Sequence, residues 1–276
     1  MSQRREYVLG TNNEELYRLG FQHRLWSRAA HALWERASIR PGERVLDIGC
    51  GPGFASFDLA QIVGPTGGVD GLDESQGFVQ YASAQAEIRG LGHARFHVGD
   101  VMDMPGRSGL VEETFDLAYA RWVMCFVPDP VAVVRGAARM LRSGGRVCVQ
   151  DYFRYETMSL APRSAAFEAI IAGIASSWRA RGGDPDIMGR LPGLLIGAGF
   201  EVTHLGPTHV GPARPGSTMW EWPDSFWRVF VPRLEELGHV TRAQREAFFA
   251  EWSRACADKG SFMHLPPVYE LIAVKR

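Results

Sequence analysis

Lysine is almost missing from this chain: of its 30 basic residues only Lys259 and Lys275 are lysines, and the rest are arginine. The arginines alternate with acids instead of clustering, and the formal net charge is −1. A nucleic-acid binder concentrates positive charge against phosphates, so no nucleic-acid partner is expected. The four cysteines (Cys50, Cys125, Cys148, Cys256) show no CxxC spacing, and the histidines form no HxH pair. Neither a zinc site nor a disulfide framework is indicated, no metal is expected, and free thiols suit a reducing compartment. No apolar run reaches the length of about 18 residues that a membrane span needs. The start, MSQRREYVLGTNNEEL, is polar where a secretory signal is apolar, so a cytoplasmic location is expected.

What is present is a large potential core. Apolar residues make up 46% of 276, which suits one enlarged α/β domain. Thr11 and Glu14 form a capping-box pair ahead of Leu16, Leu19, His23, Trp26, Ala30 and Leu33, one face of a helix. Gly20 weakens that helix and leaves two shorter ones as an alternative. From Arg44 the pattern becomes βα alternation. Strands are predicted at 45–48, 68–72, 94–98, 115–120, 146–150, 200–205 and 268–275. Helices are predicted at 54–63, 78–88, 130–141, 164–179 and 186–198. The implied fold is a doubly wound, mostly parallel, seven-stranded α/β sheet of the Rossmann-like kind. Residues 1–43 would form a helical lid and 44–210 the ligand-binding core, with a helical insertion near 155–185. Residues 211–265 would form an aromatic-rich helical cap, and 266–276 the final strand. The cap is expected because Trp220, Trp222, Phe226, Trp227, Phe230, Phe248, Phe249, Trp252 and Phe262 crowd into a connection that a short hairpin could make.

The informative segment is Val45-Leu46-Asp47-Ile48-Gly49-Cys50-Gly51-Pro52-Gly53, a strand entering a glycine turn and then a helix. Glycines admit a ligand close to the backbone, and a helix start offers unpaired N–H groups. A dinucleotide site wants GxGxxG, yet Phe54 stands where its last glycine belongs, which disfavours a dehydrogenase. Asp47, two residues ahead of Gly49, suits a cationic amino group. Asp73, about 24 residues beyond Gly49, stands where such folds place a carboxylate for ribose hydroxyls. Asp100, ending the third strand, is placed to accept from an adenine amine. S-adenosylmethionine (SAM) combines all three groups.

Five motifs in order, VLDIGCGPG, GLDESQGF, HVGDVMDMP, FDLAYARWVMCFVPDP and LRSGGRVCVQDY, resemble those of the class I SAM-dependent methyltransferases, in the group that includes ubiquinone/menaquinone-biosynthesis enzymes. The resemblance covers residues 44–151. It implies that Gly49, Gly51 and Gly53 bracket the methionine part of SAM, that Asp73, followed by Glu74 and Ser75, meets the ribose, and that Asp100 and Val101 meet the adenine. Arg121 would approach cofactor or acceptor, and Tyr7 and Gln22 would be lid contacts. Gly77 departs from the family, which often has a larger residue there.

The acceptor site is less marked. His23 and Asp151 are the catalytic candidates, although a histidine on an apolar stripe also reads as a core residue. Trp26, Trp122, Tyr152, Trp178, Trp222 and His264 are candidate acceptor contacts, the tryptophans having core packing as their alternative. The expected function is methyl transfer to an O or N of a small, largely apolar or aromatic molecule in specialised metabolism. C-methylation of a quinone- or prenyl-type acceptor is one alternative, and a non-catalytic methyltransferase-like binding subunit is another. A small-molecule acceptor is the expected partner, and a homo-oligomer is compatible with the sequence.

Overall fold

The structure, a computed structural model, describes residues 13–104 and 109–276. Tyr7 and Thr11 lie outside the described residues. Helix α1 (Asn13–Arg36) runs unbroken through Gly20. A Cβ there would sit 3.3 Å from the Phe54 ring, so this glycine lets the helix approach that ring closely. Tertiary packing thereby outweighs the glycine penalty of about 1 kcal/mol.

The chain then alternates as expected: β1 (Arg44–Ile48), α2 (Phe54–Val63), β2 (Gly68–Asp73), α3 (Gln76–Ile88), β3 (Ala94–Val98), β4 (Phe115–Arg121), α4 (Pro130–Met140) and β5 (Leu141–Tyr152). Asp129 caps α4 by accepting from the Ala132 N–H at 3.0 Å. The short strand β6 (Ser159–Ala161), α5 (Ala165–Ala180), α6 (Leu191–Gly197), β7 (Phe200–His209) and β8 (Pro212–Ala213) follow. The chain closes with α7 (Thr218–Glu236), α8 (Arg242–Ala257), β9 (Phe262–His264) and β10 (Val268–Lys275).

The main sheet has seven strands in the order β3-β2-β1-β4-β5-β10-β7. Strands β1 to β5 pair in parallel, and β10 runs antiparallel to both neighbours. Both faces are buried, and the period of two divides each strand between two cores. Val45, Val69, Leu117, Tyr119 and Cys148 face α1, α2 and α3, whereas Leu46, Leu72, Ala118, Val147 and Val149 face the opposite core.

Two features differ from the sequence pattern. The helix expected at 186–198 is a single turn at Ile187–Gly189 followed by α6, because Pro192 can occupy only the first turn of a helix. A second sheet, β6-β9-β8, is built from strands of two or three residues, too short to show an alternation. Between β8 and β9, helices α7 and α8 pack with α5 around Trp227, whose ring meets Phe167, Phe248 and Trp252 edge-on at 4.7–5.4 Å. Among the described residues no helix is long and apolar enough to cross a membrane.

Trp34 of α1 is 1% exposed and packs edge-on against Tyr119 of the central strand at 5.2 Å. Trp34→Ala should lower unfolding stability by about 3–5 kcal/mol, read from the midpoint of urea unfolding, with Trp34→Phe losing markedly less.

Candidate cofactor and acceptor site

Strands β1 to β4 end on the same edge of the sheet, and a cavity of about 1210 Å³ opens there. Single-ligand pockets run to roughly 300–1,000 Å³, so the space suits two molecules side by side. Its two halves differ in chemistry.

One half is built by the glycine turn. Gly49 has φ +66°, and a Cβ on it would lie 2.4 Å from the Val123 side chain. Gly51 has φ +53° with nothing within 4 Å of a Cβ position, so open space adjoins its backbone. Gly53 differs from the expectation: it does not line the cavity but packs α2 onto the core, where a Cβ would meet Ala82, Phe96 and Phe57 at 2.9–3.1 Å. The start of α2 has no side-chain cap, which leaves N–H donors at that end for a ligand.

Three aspartates face this half. Asp47 is buried and accepts from the Ser56 hydroxyl at 2.5 Å. Burial pushes its carboxyl up to about 7, against the pull of Ser56 and the Arg121 charge. Asp73 accepts from the Gly51 N–H at 2.8 Å and the Ser75 N–H at 2.9 Å, which joins the glycine turn to the end of β2. Burial raises this carboxyl too, although both backbone hydrogen bonds oppose the rise. Asp100 accepts from the Met102 N–H at 2.8 Å and holds the turn that carries the buried Val101. Glu74 and Ser75 line the same region, and the Ser75 hydroxyl caps α3 by accepting from the Phe78 N–H. Gly77 also lines the cavity.

Arg121, at the end of β4, stands between this half and the next. Its Nη2 donates to His23 Nδ1 at 3.0 Å, and its Nη1 is buried with no hydrogen-bond partner. The other nitrogen of His23, Nε2, lies 3.1 Å from Asp58 Oδ2, which His31 also approaches at 3.0 Å. A guanidinium can only donate, so His23 Nδ1 must use its lone pair to accept and Nε2 carries the proton. The expectation that His23 is a general base is therefore corrected: neither nitrogen has a lone pair for a substrate proton, and the ring positions Arg121.

Asp151 is also corrected. It is fully buried, does not line the cavity, and accepts from the backbone N–H groups of Cys125 at 3.2 Å and Tyr152 at 2.8 Å. It braces the loop after β4, and burial pushes its carboxyl up to about 6.

The second half is aromatic. Trp222, Trp122, Tyr152 and Trp178 form a run of rings inclined by about 30° to one another, with centroids 5.7–6.2 Å apart. All four line the cavity. Trp122 has φ +52°, a left-handed conformation that costs a bulky residue about 1–3 kcal/mol. Trp26 does not line the cavity; it packs edge-on behind Trp122 and Trp222 at 4.9–5.3 Å. His264 lies in β9, paired with Ser159, and is likewise absent from the cavity wall. Gln22 lines the wall, and its Oε1 accepts from Trp222 Nε1 at 3.0 Å and from Arg18, tying α1 to α7.

Sequence reasoning missed several lining residues. Phe226 and Phe230 continue the Trp222 stripe at spacings of four, a visible signal that reads equally as core. Tyr155 and the buried Arg18, ion-paired with Glu15, carried no motif. Among the described residues no group of three or more His, Cys, Asp or Glu is placed to hold a metal ion.

A Rossmann-like sheet with acids at the ends of its first three strands, beside an aromatic chamber, defines a nucleoside-cofactor protein with room for a second ligand. The sequence model described as a methyltransferase domain matches residues 39–177, half of the chain, and the chain belongs to that family, the class I SAM-dependent methyltransferases. A 2-phytyl-1,4-naphtoquinone methyltransferase from Synechococcus elongatus is 38% identical over 48% of this chain and 54% of its own length. The nocamycin O-methyltransferase of Saccharothrix syringae is 37% identical over 43% of this chain and 41% of its own. The chain thus spans about half the length of the curated relatives it matches. The solved geranyl diphosphate C-methyltransferase of Streptomyces coelicolor shares the fold, with a TM-score of 0.58 and 16% identity over 92% of this chain and 77% of that one.

The raised carboxyls set a pH dependence. A carboxyl with a folded pKa above its unfolded value is easier to bury protonated, so stability is highest in acid and declines as pH rises from the unfolded pKa through the folded one. The ligand-free protein should lose stability between about pH 4 and 7, Asp151 contributing up to about 6 and Asp47 up to about 7. Asp47→Asn should remove the upper part of that decline and stabilise the ligand-free protein above neutrality by on the order of 2–4 kcal/mol. Thermal unfolding of both proteins across that range checks this, and parallel curves would contradict it.

Proposed function

We propose that this chain is a SAM-dependent methyltransferase acting on an O or N of a small, largely apolar or aromatic metabolite in specialised metabolism. The observation that carries this reading is the meeting, in one cavity, of Asp47, Asp73, Asp100 and the unpartnered Arg121 Nη1 with an aromatic chamber. These groups fit SAM in charge and in order. Asp47 would take the ammonium, and Arg121 Nη1 the carboxylate of the same methionine portion. Asp73 has accepting capacity beyond its two backbone bonds for the ribose hydroxyls, and Asp100 with Val101 suits the adenine. Gly49 and Gly51 admit the ligand against the backbone, while Gln22 closes the wall from α1.

When bound, SAM supplies an electrophilic methyl group and a neutral thioether leaving group. The chain's part is then to orient and to exclude water. His23 fixes the Arg121 guanidinium, and the Trp122–Trp222 wall offers an acceptor a flat, dry surface. The similarity to a naphthoquinone methyltransferase favours a second reading, C-methylation of a quinone-type acceptor.

Calorimetry should show SAM binding to the purified protein, and at least one acceptor in a panel of aromatic acids, phenols, amines and prenylated quinones should yield S-adenosylhomocysteine. Mass spectrometry of the product locates the methyl on a heteroatom or on carbon. Asp73→Ala should weaken SAM binding by about 1–3 kcal/mol, the cost of stranding buried hydrogen-bonding groups. A protein that does not bind SAM would refute the proposal.

A further inference from the structure

Among the described residues, every carboxylate lining the cavity sits at the glycine-turn end and the aromatic half has none. Among the same residues His23 is the one histidine on the wall, and both its ring nitrogens are committed to Arg121 and Asp58. The polar side chains of the aromatic half include hydrogen-bond donors. Trp122 Nε1 is buried without a partner, and the buried Tyr152 and Tyr155 line the same chamber. Burial raises both phenols well above their ordinary range, so they stay protonated and cannot serve as bases. Among the described residues the chamber therefore offers donors to a negatively charged ligand oxygen and no carboxylate or free imidazole to take a proton from one.

We propose that the acceptor is a planar conjugated oxygen acid that arrives already ionised, a carboxylate or an acidic enolate, with its oxygen held by Trp122 Nε1 and the Tyr152 hydroxyl. This rests on the methyl-transfer reading and narrows it. The acceptor oxygen uses its own electron pair to form the O–CH3 bond as the methyl–sulfur bond breaks, and that bonding pair stays on sulfur. The anionic charge of the acceptor and the cationic charge of the donor cancel, and no proton moves. A neutral phenol or a protonated amine would need a base in the chamber, which holds none among the described residues. The strained backbone of Trp122 agrees with a role at the site: a bulky residue held at φ +52° is kept there by its surroundings, and its indole N–H is left unpaired.

The test is binding to the protein saturated with S-adenosylhomocysteine, read by quenching of tryptophan fluorescence and confirmed by calorimetry. The probes are matched pairs: 2-anthracenecarboxylate against 2-anthracenecarboxamide, and 2-hydroxy-1,4-naphthoquinone against 2-amino-1,4-naphthoquinone. The acid of at least one pair should bind about tenfold or more tighter than its neutral partner when ionised, as expected for hydrogen bonds to a charged group. The gap should close as the pH falls below the acid's own pKa. Trp122→Phe keeps the ring wall and removes the donor, and it should narrow the gap several-fold without altering SAM affinity. Neutral partners binding as well as the acids, or no probe binding at all, would overturn the proposal while leaving SAM binding, measured on the same preparation, as the separate check on methyl transfer. A preparation that failed to bind SAM would remove both.

Discussion

The Asp73 carboxylate, shared between the N–H groups of Gly51 and Ser75, is the contact on which the site's geometry rests. It joins the turn after β1 to the turn after β2, so that two separate loops act as one rim. The arrangement depends on glycine at position 49, where Val123 leaves no room for a side chain. It also depends on a parallel sheet whose first strands end together, because only then do Asp47, Asp73 and Asp100 reach one space. Burying Asp47 and Asp73 is unfavourable for the ligand-free protein, which is why both are pushed up. A cationic ligand offsets that cost, so the destabilisation and the binding function have the same origin.

Charge is segregated across the cavity. Acids lie at the glycine turn, Arg121 stands at the boundary, and the far wall is aromatic, with no carboxylate among the described residues. Arg121 holds this boundary because His23 fixes one of its nitrogens while the other is buried without a partner. His23 is in turn anchored by Asp58, a carboxyl that burial would raise but that hydrogen bonds from His23 and His31 hold below its usual range. Behind the aromatic wall, Trp26 and the bond from Trp222 to Gln22 link α1 to α7 as parts of one packed surface. Asp151 supports the same wall from beneath by bracing the loop that carries Met124 and Cys125. The unrelated activities hosted by similar folds mean that this division of charge, more than the sheet, is what bears on the acceptor.

Much of the architecture was readable before any coordinates. Strand β1 announces itself through a short apolar run that stops at glycines, β2 and β3 lead into Asp73 and Gly99-Asp100, and Asp129-Pro130 marks the start of α4 as plainly as any cap can. The miniature β6-β9-β8 sheet was not readable, since two or three residues cannot display a period. The helix expected at 186–198 divides ahead of Pro192, because proline fits only the first turn of a helix while the surrounding leucines carry the helical period past it. Gly20 was overweighted in the opposite direction, because its close approach to Phe54 is a tertiary fact.

Composition, periodicity and the order of five motifs were enough to specify a Rossmann-like sheet, the family and the identity of the acids along its edge, since each of these depends on local spacing along the chain. The roles of His23 and Asp151 were decided only by folding. Whether an imidazole has a lone pair to offer, or a carboxylate faces a cavity or a loop, depends on partners 26 to 98 residues away. The unpaired Trp122 indole and the run of rings around it are likewise products of packing between β4, β5, α5 and α7. Nothing in one segment encodes the absence of a partner, and that absence is what gives the aromatic chamber its chemistry.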